Sequence, residues 1–283
     1  MAEAPTVILT IAGFDPSSGA GITADIKTIA AHGCYGVACI TAITVQSTAG
    51  VQRVEPCDPS LVAATLEELA SDMKIAGVHI GMLGSSKVAR EVVDFLRHKK
   101  LPAVVLDRIL RSSSGTNLLD REGTRVLISE LLPLATVVTP NVDEAAVLTG
   151  LPVTNPDQMK AAAVRLHEMG AASVVVTGGH LEKAVDLLSF QTRRGVEQEV
   201  FKSQRQRSNS THGTGCAFAT AMACHLALDR GLPEAVLLAK AYVSAAISKG
   251  QPLGRGVGPV HHLYRMQQQR RAGTVVAEAE PVH

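Results

Sequence analysis

The sequence predicts an α/β fold of three layers, in which helices cover both faces of a central, mostly parallel sheet. Short apolar runs rich in Val and Ile alternate along the chain with segments of helical periodicity. The strand runs are apolar throughout, which is typical of parallel strands that are buried on both faces. Of the 283 residues, 46% are hydrophobic, so the chain can bury a large core.

Strands and helices alternate through the first half of the chain. Runs of apolar and β-branched residues predict each strand, and apolar residues three or four positions apart predict each helix. The predicted order is strand Thr6–Gly13, helix Ala20–Gly33, strand Gly36–Gln46, helix Ser60–Asp72, strand Ile75–Leu83, helix Ser86–Lys99 and strand Pro102–Asp107. Glycine commonly follows the last turn of a helix, so the first helix is expected to close at Gly33.

The second half continues this order and then changes. The next predicted elements are helix Arg121–Leu132, strand Ala135–Pro140, helices Val142–Thr149 and Pro156–Met169, and strand Ala172–Gly179. They are followed by two antiparallel strands, Ala184–Phe190 and Val196–Ser203, and by helices Gly215–Asp229 and Pro233–Lys249. No repeat or linker interrupts residues 1–264, which predicts one domain. Residues 265–283 lack an apolar period and are expected to be a partly disordered tail.

The composition argues against two classes of partner. Lys and Arg total 27 against 26 Asp and Glu, and aromatic residues make up 3% without any Trp, so no nucleic-acid surface is expected. No apolar run approaches the roughly 20 residues of a membrane span. The five cysteines are odd in number, show no paired metal spacing and follow no charged leader, which predicts reduced thiols and a cytoplasmic location.

Glycine-rich and polar segments follow six successive predicted strands. They are GFDPSSGAG, QST, GMLGS, DRILRSSSG, PNVDE and TGGHL. Ligands of open α/β sheets bind at the carboxyl ends of the strands. The pattern therefore indicates an enzyme.

The segment THGTGC, residues 211–216, precedes a long Ala-rich helix. Gly213 and Gly215 suit a tight turn, and the helix start adds unpaired N–H groups and a positive dipole end. Such an arrangement binds anions, above all phosphate. The alternative is that the glycines only turn the chain and that Cys216 is a small buried hydrophobic residue.

Seven segments follow one another between about Val7 and His262. They are LTIAGFDPSSGAGITADIKT, TAITVQSTAGVQ, IGMLGS, LLPLATVVTPNVDEAAVL, TGGHL, THGTGC and GRGVGPVHH. Together they resemble the hydroxymethylpyrimidine/phosphomethylpyrimidine kinases of thiamine biosynthesis, in the ribokinase-like superfamily. The resemblance implies a ribokinase-like α/β/α fold, a homodimer, ATP and Mg²⁺. The implied reaction is phosphorylation of 4-amino-5-hydroxymethyl-2-methylpyrimidine and then of its monophosphate.

The resemblance also implies a role for particular residues. The implied anion hole and catalytic base are Gly213, Thr214, Gly215 and Cys216, where a thiolate near a helix dipole suits acid–base chemistry. The implied pyrimidine site comprises Gln46, Asp25, Met82 and Gly21. The implied ATP-phosphate site comprises Asn141, Glu144, Thr177, Gly179 and Arg111. Asp107 and Glu144 are the implied Mg²⁺ residues, acting through water.

Some of these residues also have structural interpretations. A single Gln46 amide can meet both an amino group and a ring nitrogen of an aminopyrimidine, but a strand-end Gln can also lie in solvent. Asp25 suits the first turn of a helix as a cap, and Met82 suits a core. Asn141 with Glu144 fits a capping box, which is compatible with phosphate binding.

The chain departs from the family pattern at the phosphate side. Two lysines of the family pattern are missing. The loop after Asp107 reads SSGT at residues 113–116, without the first lysine, and Thr177 occupies the position of the second. Arg108, in place of a common proline, and Arg111 are expected either to replace these cations or to lie in solvent. Without such a replacement, the second phosphorylation is expected to be impaired.

Two alternative functions remain open. A pyridoxal kinase shares the fold and the Gly-Cys site, although Gln46 and GGHL favour the pyrimidine. A non-catalytic pyrimidine sensor would fit the lost lysines, but an intact Gly213–Cys216 segment favours catalysis.

Overall fold

The computed structural model describes residues 4–107, 115, 118–179, 184–202, 206 and 208–266. The strands within them are β1 (Val7–Phe14), β2 (Tyr35–Ser47), β3 (Gly50–Pro56), β4 (Ile75–Ile80), β5 (Val104–Leu106), β6 (Val137–Val138), β7 (Ser173–Gly178), β8 (Val185–Thr192) and β9 (Gly195–Lys202). The α-helices are α1 (Gly21–Ala31), α2 (Pro59–Asp72), α3 (Ser86–Lys99), α4 (Arg121–Val126), α5 (Val142–Thr149), α6 (Pro156–Glu168), α7 (Thr214–Ala227) and α8 (Leu232–Ser248).

All of these strands form one sheet in the order β3-β2-β1-β4-β5-β6-β7-β8-β9. Neighbours from β2 to β7 pair in parallel, whereas β3, β8 and β9 add by antiparallel pairing at the two sides. The predicted mostly parallel sheet and the predicted antiparallel pair after β7 are confirmed. As a consequence, the carboxyl ends of six neighbouring strands lie along one edge.

Helices cover both faces of the sheet, as the alternation of side chains along β1 shows. Ile8 packs in a buried cluster with residues of α1, α7 and α8, whereas Leu9 packs with residues of α2, α3 and α6. Successive side chains of a strand point to opposite faces, so each face has its own core. The predicted three-layer architecture is confirmed.

Helix α7 is buried on every side from Ala217 to His225. Its many alanines allow close packing: a Cβ added to Gly77 of β4 would lie 3.0 Å from the carbonyl oxygen of Ala223. A helix that is apolar all round belongs in the interior. This burial fixes the position of the residues at its N-terminal end.

The edge strand β3 is not predicted from the sequence. It pairs antiparallel with β2 after a tight turn, and Gln52, Arg53 and Glu55 all lie exposed along it. A strand that is exposed on both faces carries no clean alternation of apolar and polar residues. Its sequence therefore resembles a loop.

The predicted helix Arg121–Leu132 is wrong in its second half. The α-helix ends at Val126, residues Leu127–Leu131 form a π-helical turn, and Leu132–Leu134 form a 3₁₀ turn. Pro133 has no N–H to donate, so the α-helical hydrogen-bond pattern cannot continue through it. The chain therefore leaves the α-helix before the proline.

The central parallel strands are shorter than predicted. β4 ends at Ile80, β5 at Leu106 and β6 at Val138, so the last residues of the predicted strands belong to the loops at the carboxyl edge. The predicted tail, residues 265–283, lies outside the described residues from residue 267 onward. In the described part of the chain, every helix is too short or too polar to cross a membrane.

Candidate functional site

A cavity of about 90 Å³ opens at the carboxyl edge of the parallel strands. Its walls come from the ends of β1 and β2, the loop after β4 and the start of α7. Residues predicted for the substrate and catalytic sites line it, namely Gln46, Met82, Gly21, Gly213 and Cys216. The fold thus brings together five predicted site residues that are far apart in the sequence.

Helix α7 begins at the cavity with a glycine turn. The N-cap, Gly213, has φ 79°, and a Cβ there would lie 1.8 Å from the carbonyl oxygen of Gly19. Both the left-handed backbone and the close approach require glycine. Thr214 donates its backbone N–H to the carbonyl of Thr211 at 3.3 Å, and half-buried Cys216 lies on the first turn. This turn is the positive end of the helix dipole.

The loop between β1 and α1 forms a second wall. Gly21 has φ 58°, and a Cβ there would lie 2.2 Å from the carbonyl oxygen of Gly13. Gly13 itself packs against Met82, since its Cβ would lie 2.1 Å from the Met82 methyl carbon. Met82 is therefore both a packing residue and part of the cavity wall.

Gln46 lies in β2 with a half-buried side chain. Its amide Oε1 is 3.1 Å from the Thr44 hydroxyl, and its Nε2 is 3.3 Å from Nε2 of His212. Thr44 and His212 also line the cavity. The Gln46 amide is thus held from both ends at the cavity wall, and the solvent-exposed interpretation of this residue is wrong.

Asp15 and His212 are site residues that the sequence analysis does not single out. The carboxylate of Asp15 accepts hydrogen bonds from the backbone N–H groups of Ser17 at 2.8 Å and Ala20 at 2.9 Å. Its Oδ2 also lies 2.9 Å from Nε2 of His212. Burial raises the pKa of Asp15, but these hydrogen bonds outweigh burial and hold the pKa below its usual value.

The local sequence held a signal for both residues. Asp15 lies inside the quoted GFDPSSGAG loop, and His212 directly precedes Gly213. Sequence alone does not show that these two loops meet.

Asp25 does not line the cavity. It is fully buried in α1, where its carboxylate accepts hydrogen bonds from the hydroxyls of Thr10 at 2.7 Å and Thr220 at 2.9 Å. The capping interpretation is wrong, because Asp25 lies in the second turn and the N-cap Ala20 makes no side-chain cap. A direct role at the substrate stays a prediction.

His79 of β4 connects Asp25 to the next predicted residue, Asp107. Its Nδ1 lies 3.2 Å from Asp25, and its Nε2 lies 3.9 Å from Asp107. Burial lowers the pKa of His79, but the charge of Asp25 and the contact with Asp107 outweigh burial and raise the pKa to about 10. His79 therefore lies between two buried carboxylates, and both favour its protonated form.

The predicted phosphate-side residues that the structure describes lie at or after the carboxyl ends of β6 and β7. The Asn141 side chain accepts from the Glu144 N–H at 2.9 Å, and the Glu144 carboxylate accepts from the Asn141 N–H at 3.0 Å. The capping box is therefore confirmed, at the start of α5. Thr177 bridges to Asn141, and Gly179 follows β7 directly. Arg108 and Arg111 lie outside the described residues.

The donor chemistry at this edge suits Mg²⁺. Asp107 follows β5 and Glu144 follows β6, so two carboxylates lie after neighbouring strands, and both are buried. In the described part of the chain no three His, Cys, Asp or Glu side chains converge on a metal position. Mg²⁺ retains several waters and binds through one or two carboxylates and substrate phosphates, so this set fits it.

Comparison with known proteins supports a kinase. Residues 15–261 match the family model for phosphomethylpyrimidine kinase. The chain is 43% identical over 258 residues to the thiamine biosynthesis bifunctional protein of Geobacter sulfurreducens, covering 90% of this chain and 52% of that protein. The chain thus spans about half the length of that relative. It is 39% identical over 257 residues to the hydroxymethylpyrimidine/phosphomethylpyrimidine kinase of Haemophilus influenzae, covering 90% of this chain and 96% of that protein.

Solved structures agree on the fold. An ADP complex of pyridoxal kinase from Bacillus subtilis superposes with a TM-score of 0.84 and 34% identity, covering 93% of this chain and 100% of that chain. The sheet order, the glycine helix start at the cavity and the similarity to known kinases together identify a ribokinase-like small-molecule kinase. The match of residues 15–261 gives the particular group: the chain belongs to the phosphomethylpyrimidine kinase family. The predicted family is confirmed.

Proposed function

We propose that the protein phosphorylates 4-amino-5-hydroxymethyl-2-methylpyrimidine with ATP and then phosphorylates the monophosphate, giving the diphosphate used in thiamine biosynthesis. The observation that carries this proposal is the single cavity in which an oriented amide, Gln46, faces the same space as Gly213 and Cys216. The printed name of the Haemophilus influenzae relative supports the same two acceptors.

Gln46 recognises the pyrimidine ring. An aminopyrimidine edge presents an amino donor beside a ring-nitrogen acceptor, and one carboxamide satisfies both. Met82 supplies an apolar wall. With the ring held at Gln46, the hydroxymethyl group is directed toward Cys216 on the first turn of α7.

The transfer itself depends on the start of α7. The acceptor oxygen bonds to the γ-phosphorus while the bond from that phosphorus to the β–γ bridging oxygen breaks, and ADP leaves. The hydroxyl proton passes to the thiolate of Cys216. The N–H groups of Gly213 and Gly215 stabilise the negative charge of the transferring group. Phosphoryl transfer depends mainly on positioning and charge stabilisation, which a buried helix with a rigid start supplies.

The triphosphate lies along the ends of β5, β6 and β7. Asn141, Thr177 and Gly179 face it, and Arg111 supplies a cation in place of the missing lysines. Asp107 and Glu144 would hold Mg²⁺ through water. The bound ion would supply positive charge that offsets the charge of the triphosphate.

A pyridoxal kinase is the second candidate. It is favoured by the TM-score of 0.84 to a pyridoxal kinase. Measuring kcat/KM for the pyrimidine alcohol and for pyridoxal at fixed Mg²⁺–ATP distinguishes these two candidate functions. We expect kcat/KM to be higher for the pyrimidine alcohol by about tenfold or more. With pyridoxal bound, a donor or acceptor of the Gln46 amide would be left without a hydrogen-bond partner. A preference for pyridoxal would replace our proposal with the second candidate.

The protein acts as a homodimer. Support comes from the apolar side chains that β2 exposes beside the edge strand, with Ile40, Ile43 and Val45 at 39%, 54% and 47% exposure. Exposed apolar patches commonly mark protein interfaces. Sedimentation velocity tests this assignment.

A further inference from the structure

The tip of the β2–β3 hairpin extends beyond the pairing of β2 with β1. The last residue of β2 that pairs with β1 is Ile43, so Gln46 pairs only with β3, opposite Val51. The register of the hairpin also shifts between Val45 and Gln46. Gln46 and Val51 both line the cavity. The position of this cavity wall therefore depends on what holds the hairpin tip.

A segment near the end of the described chain, residues 254–260, contacts this tip. The carbonyl oxygen of Thr48 accepts the N–H of Val257 at 3.1 Å, and the Thr48 hydroxyl oxygen accepts the N–H of Gly256 at 3.2 Å. A Cβ on Gly256 would lie 1.9 Å from that carbonyl oxygen and 2.3 Å from its carbon. The segment and the hairpin tip are thus in direct backbone contact, which requires glycine at position 256.

The same segment holds the residues before α7. The N–H of His212 donates to the carbonyl oxygen of Gly258 at 3.0 Å, and the carbonyl oxygen of His212 accepts the N–H of Val260 at 3.2 Å. Gly258 also donates its N–H to the carbonyl oxygen of Asn209 at 2.9 Å. His212 directly precedes Gly213, the N-cap of α7. The segment therefore connects the hairpin tip to the start of α7.

The distance between these two parts of the site matters most for the alcohol. Its hydroxymethyl oxygen is one carbon away from the ring, so a ring held at Gln46 places that oxygen within narrow limits. The acceptor oxygen of the monophosphate lies beyond two additional rotatable bonds, the C–O bond and the O–P bond. A change in the distance should therefore impair transfer to the alcohol more than transfer to the monophosphate.

We propose that residues 254–260 are a specificity-determining positioning segment, which sets the distance between Gln46 and the start of α7 to suit the short alcohol acceptor. The proposal rests on the proposed function, in that Gln46 holds the ring and α7 begins at the transferring group. It deepens that function by naming what sets the distance between the two. Hydrogen bonds at both ends of the segment and the close contact at Gly256 support this role.

Gly256→Ala changes that distance. The added Cβ requires the Thr48 carbonyl oxygen to move by roughly 1.5 Å, from 1.9 Å to the ordinary 3.4 Å. A misplacement of about 1 Å can cost about 100-fold in rate, so kcat for the alcohol should fall by about 100-fold. The ring moves with the hairpin and keeps its hydrogen bonds to Gln46, so Kd for the alcohol, measured by calorimetry, should change by less than about tenfold. The kcat for the monophosphate should also fall by less than about tenfold.

Two further variants accompany this measurement. Gly231→Ala is the control, because a Cβ at Gly231 meets no atom within 4 Å, and it should keep the parent kcat for both acceptors. Thr48→Val keeps a branched side chain but removes the oxygen that accepts the Gly256 N–H. The loss of one hydrogen bond should lower kcat for the alcohol by about three- to tenfold, and kcat for the monophosphate less. Thr48→Val keeps the proposal testable if Gly256→Ala does not fold.

Two results would overturn the proposal. One is an unchanged kcat for the alcohol in folded Gly256→Ala or, if that variant does not fold, in Thr48→Val. The other is an equal loss of kcat for the two acceptors, because a merely structural role of the segment would affect both alike.

Gln46→Leu separates failure of the positioning from failure of the proposed function. If Gln46→Leu weakens binding of the alcohol while folded Gly256→Ala keeps the parent kcat, only the positioning is wrong. If Gln46→Leu leaves Kd for the alcohol unchanged, Gln46 does not hold the ring, and the proposal fails together with the proposed function of that residue.

Discussion

Replacing Gly213 by alanine tests whether the start of α7 is the centre of the site. An alanine at φ 79° pays a left-handed backbone cost of roughly 1–2 kcal/mol. Its Cβ would also lie 1.8 Å from the carbonyl oxygen of Gly19 and 2.9 Å from the adjoining carbon. Both atoms belong to the backbone, so no side-chain rotation relieves the contact. Forced overpacking adds roughly 1–3 kcal/mol, for a total loss of about 2–5 kcal/mol in the free energy of unfolding.

The same contact predicts a larger effect on catalysis. The loops at Gly19 and Gly213 must separate by roughly 1.6 Å before the contact reaches the ordinary 3.4 Å. That movement pulls the start of α7 away from the β1–α1 loop. A misplacement of about 1 Å can cost about 100-fold in rate, so kcat/KM should fall by about 100-fold or more for both acceptors.

A matched glycine provides the control. Gly231 is the N-cap of α8 and, like Gly213, makes no side-chain cap, but its φ is −60° and a Cβ there meets no atom within 4 Å. Gly231→Ala should stay within about 1 kcal/mol of the parent and keep its activity. Urea unfolding and kcat/KM on the folded proteins make the comparison. Gly213→Ala with the stability and activity of Gly231→Ala would refute the reasoning.

Three further predictions concern single side chains. Cys216→Ala should slow phosphorylation of the alcohol by about 100-fold or more, because a base is lost. It should slow phosphorylation of the already ionised monophosphate clearly less. Equal losses in kcat/KM for the two acceptors would mean that Cys216 shapes the anion hole instead. His79→Leu should lower the free energy of unfolding by about 3–5 kcal/mol, because it leaves the buried carboxylates of Asp25 and Asp107 facing each other without a cation; a loss below about 1 kcal/mol in urea unfolding would show that the three groups are not a charged unit. His262 is buried, and burial lowers its pKa from the usual 6.5 to about 4. Between these two pH values the unfolded chain therefore binds a proton at this histidine that the folded protein does not bind. The free energy of unfolding consequently declines as the pH falls from 6.5 to 4. His262→Gln should reduce that slope by about 1.4 kcal/mol per pH unit in unfolding measured across this range, and an unchanged slope would show that this histidine is not buried neutral.

The layered fold could be predicted because its strands are apolar throughout. Buried parallel strands such as β1 and β4 are continuous apolar runs in the sequence. Helix α7, which is buried on every side, is recognisable as a long Ala-rich segment. The edge strand β3 could not be predicted, since pairing with β2 and not burial holds it. Helix α4 ends early because Pro133 competes with its own helical pattern.

The residues of the candidate site likewise differ in how well the sequence alone predicts them. Local motifs were sufficient for Gly213 and Cys216, because a glycine turn before a helix is a property of neighbouring residues. The pairing of Asp15 with His212 spans 197 positions and appears only when two loops meet at the edge of the sheet. Asp25 is a second case of this kind, because the hydroxyls that surround it, those of Thr10 and Thr220, belong to other elements and place it away from the cavity.

The central claim is that one cavity, lined by both Gln46 and Cys216, adds two phosphoryl groups in turn to an aminopyrimidine alcohol. Mass spectrometry of the products from purified protein, Mg²⁺–ATP and the alcohol tests it most directly. The account predicts that the monophosphate forms first and that the diphosphate then accumulates as the monophosphate declines. ATP hydrolysis without any phosphorylated pyrimidine, or a reaction that stops at the monophosphate with excess ATP, would contradict it.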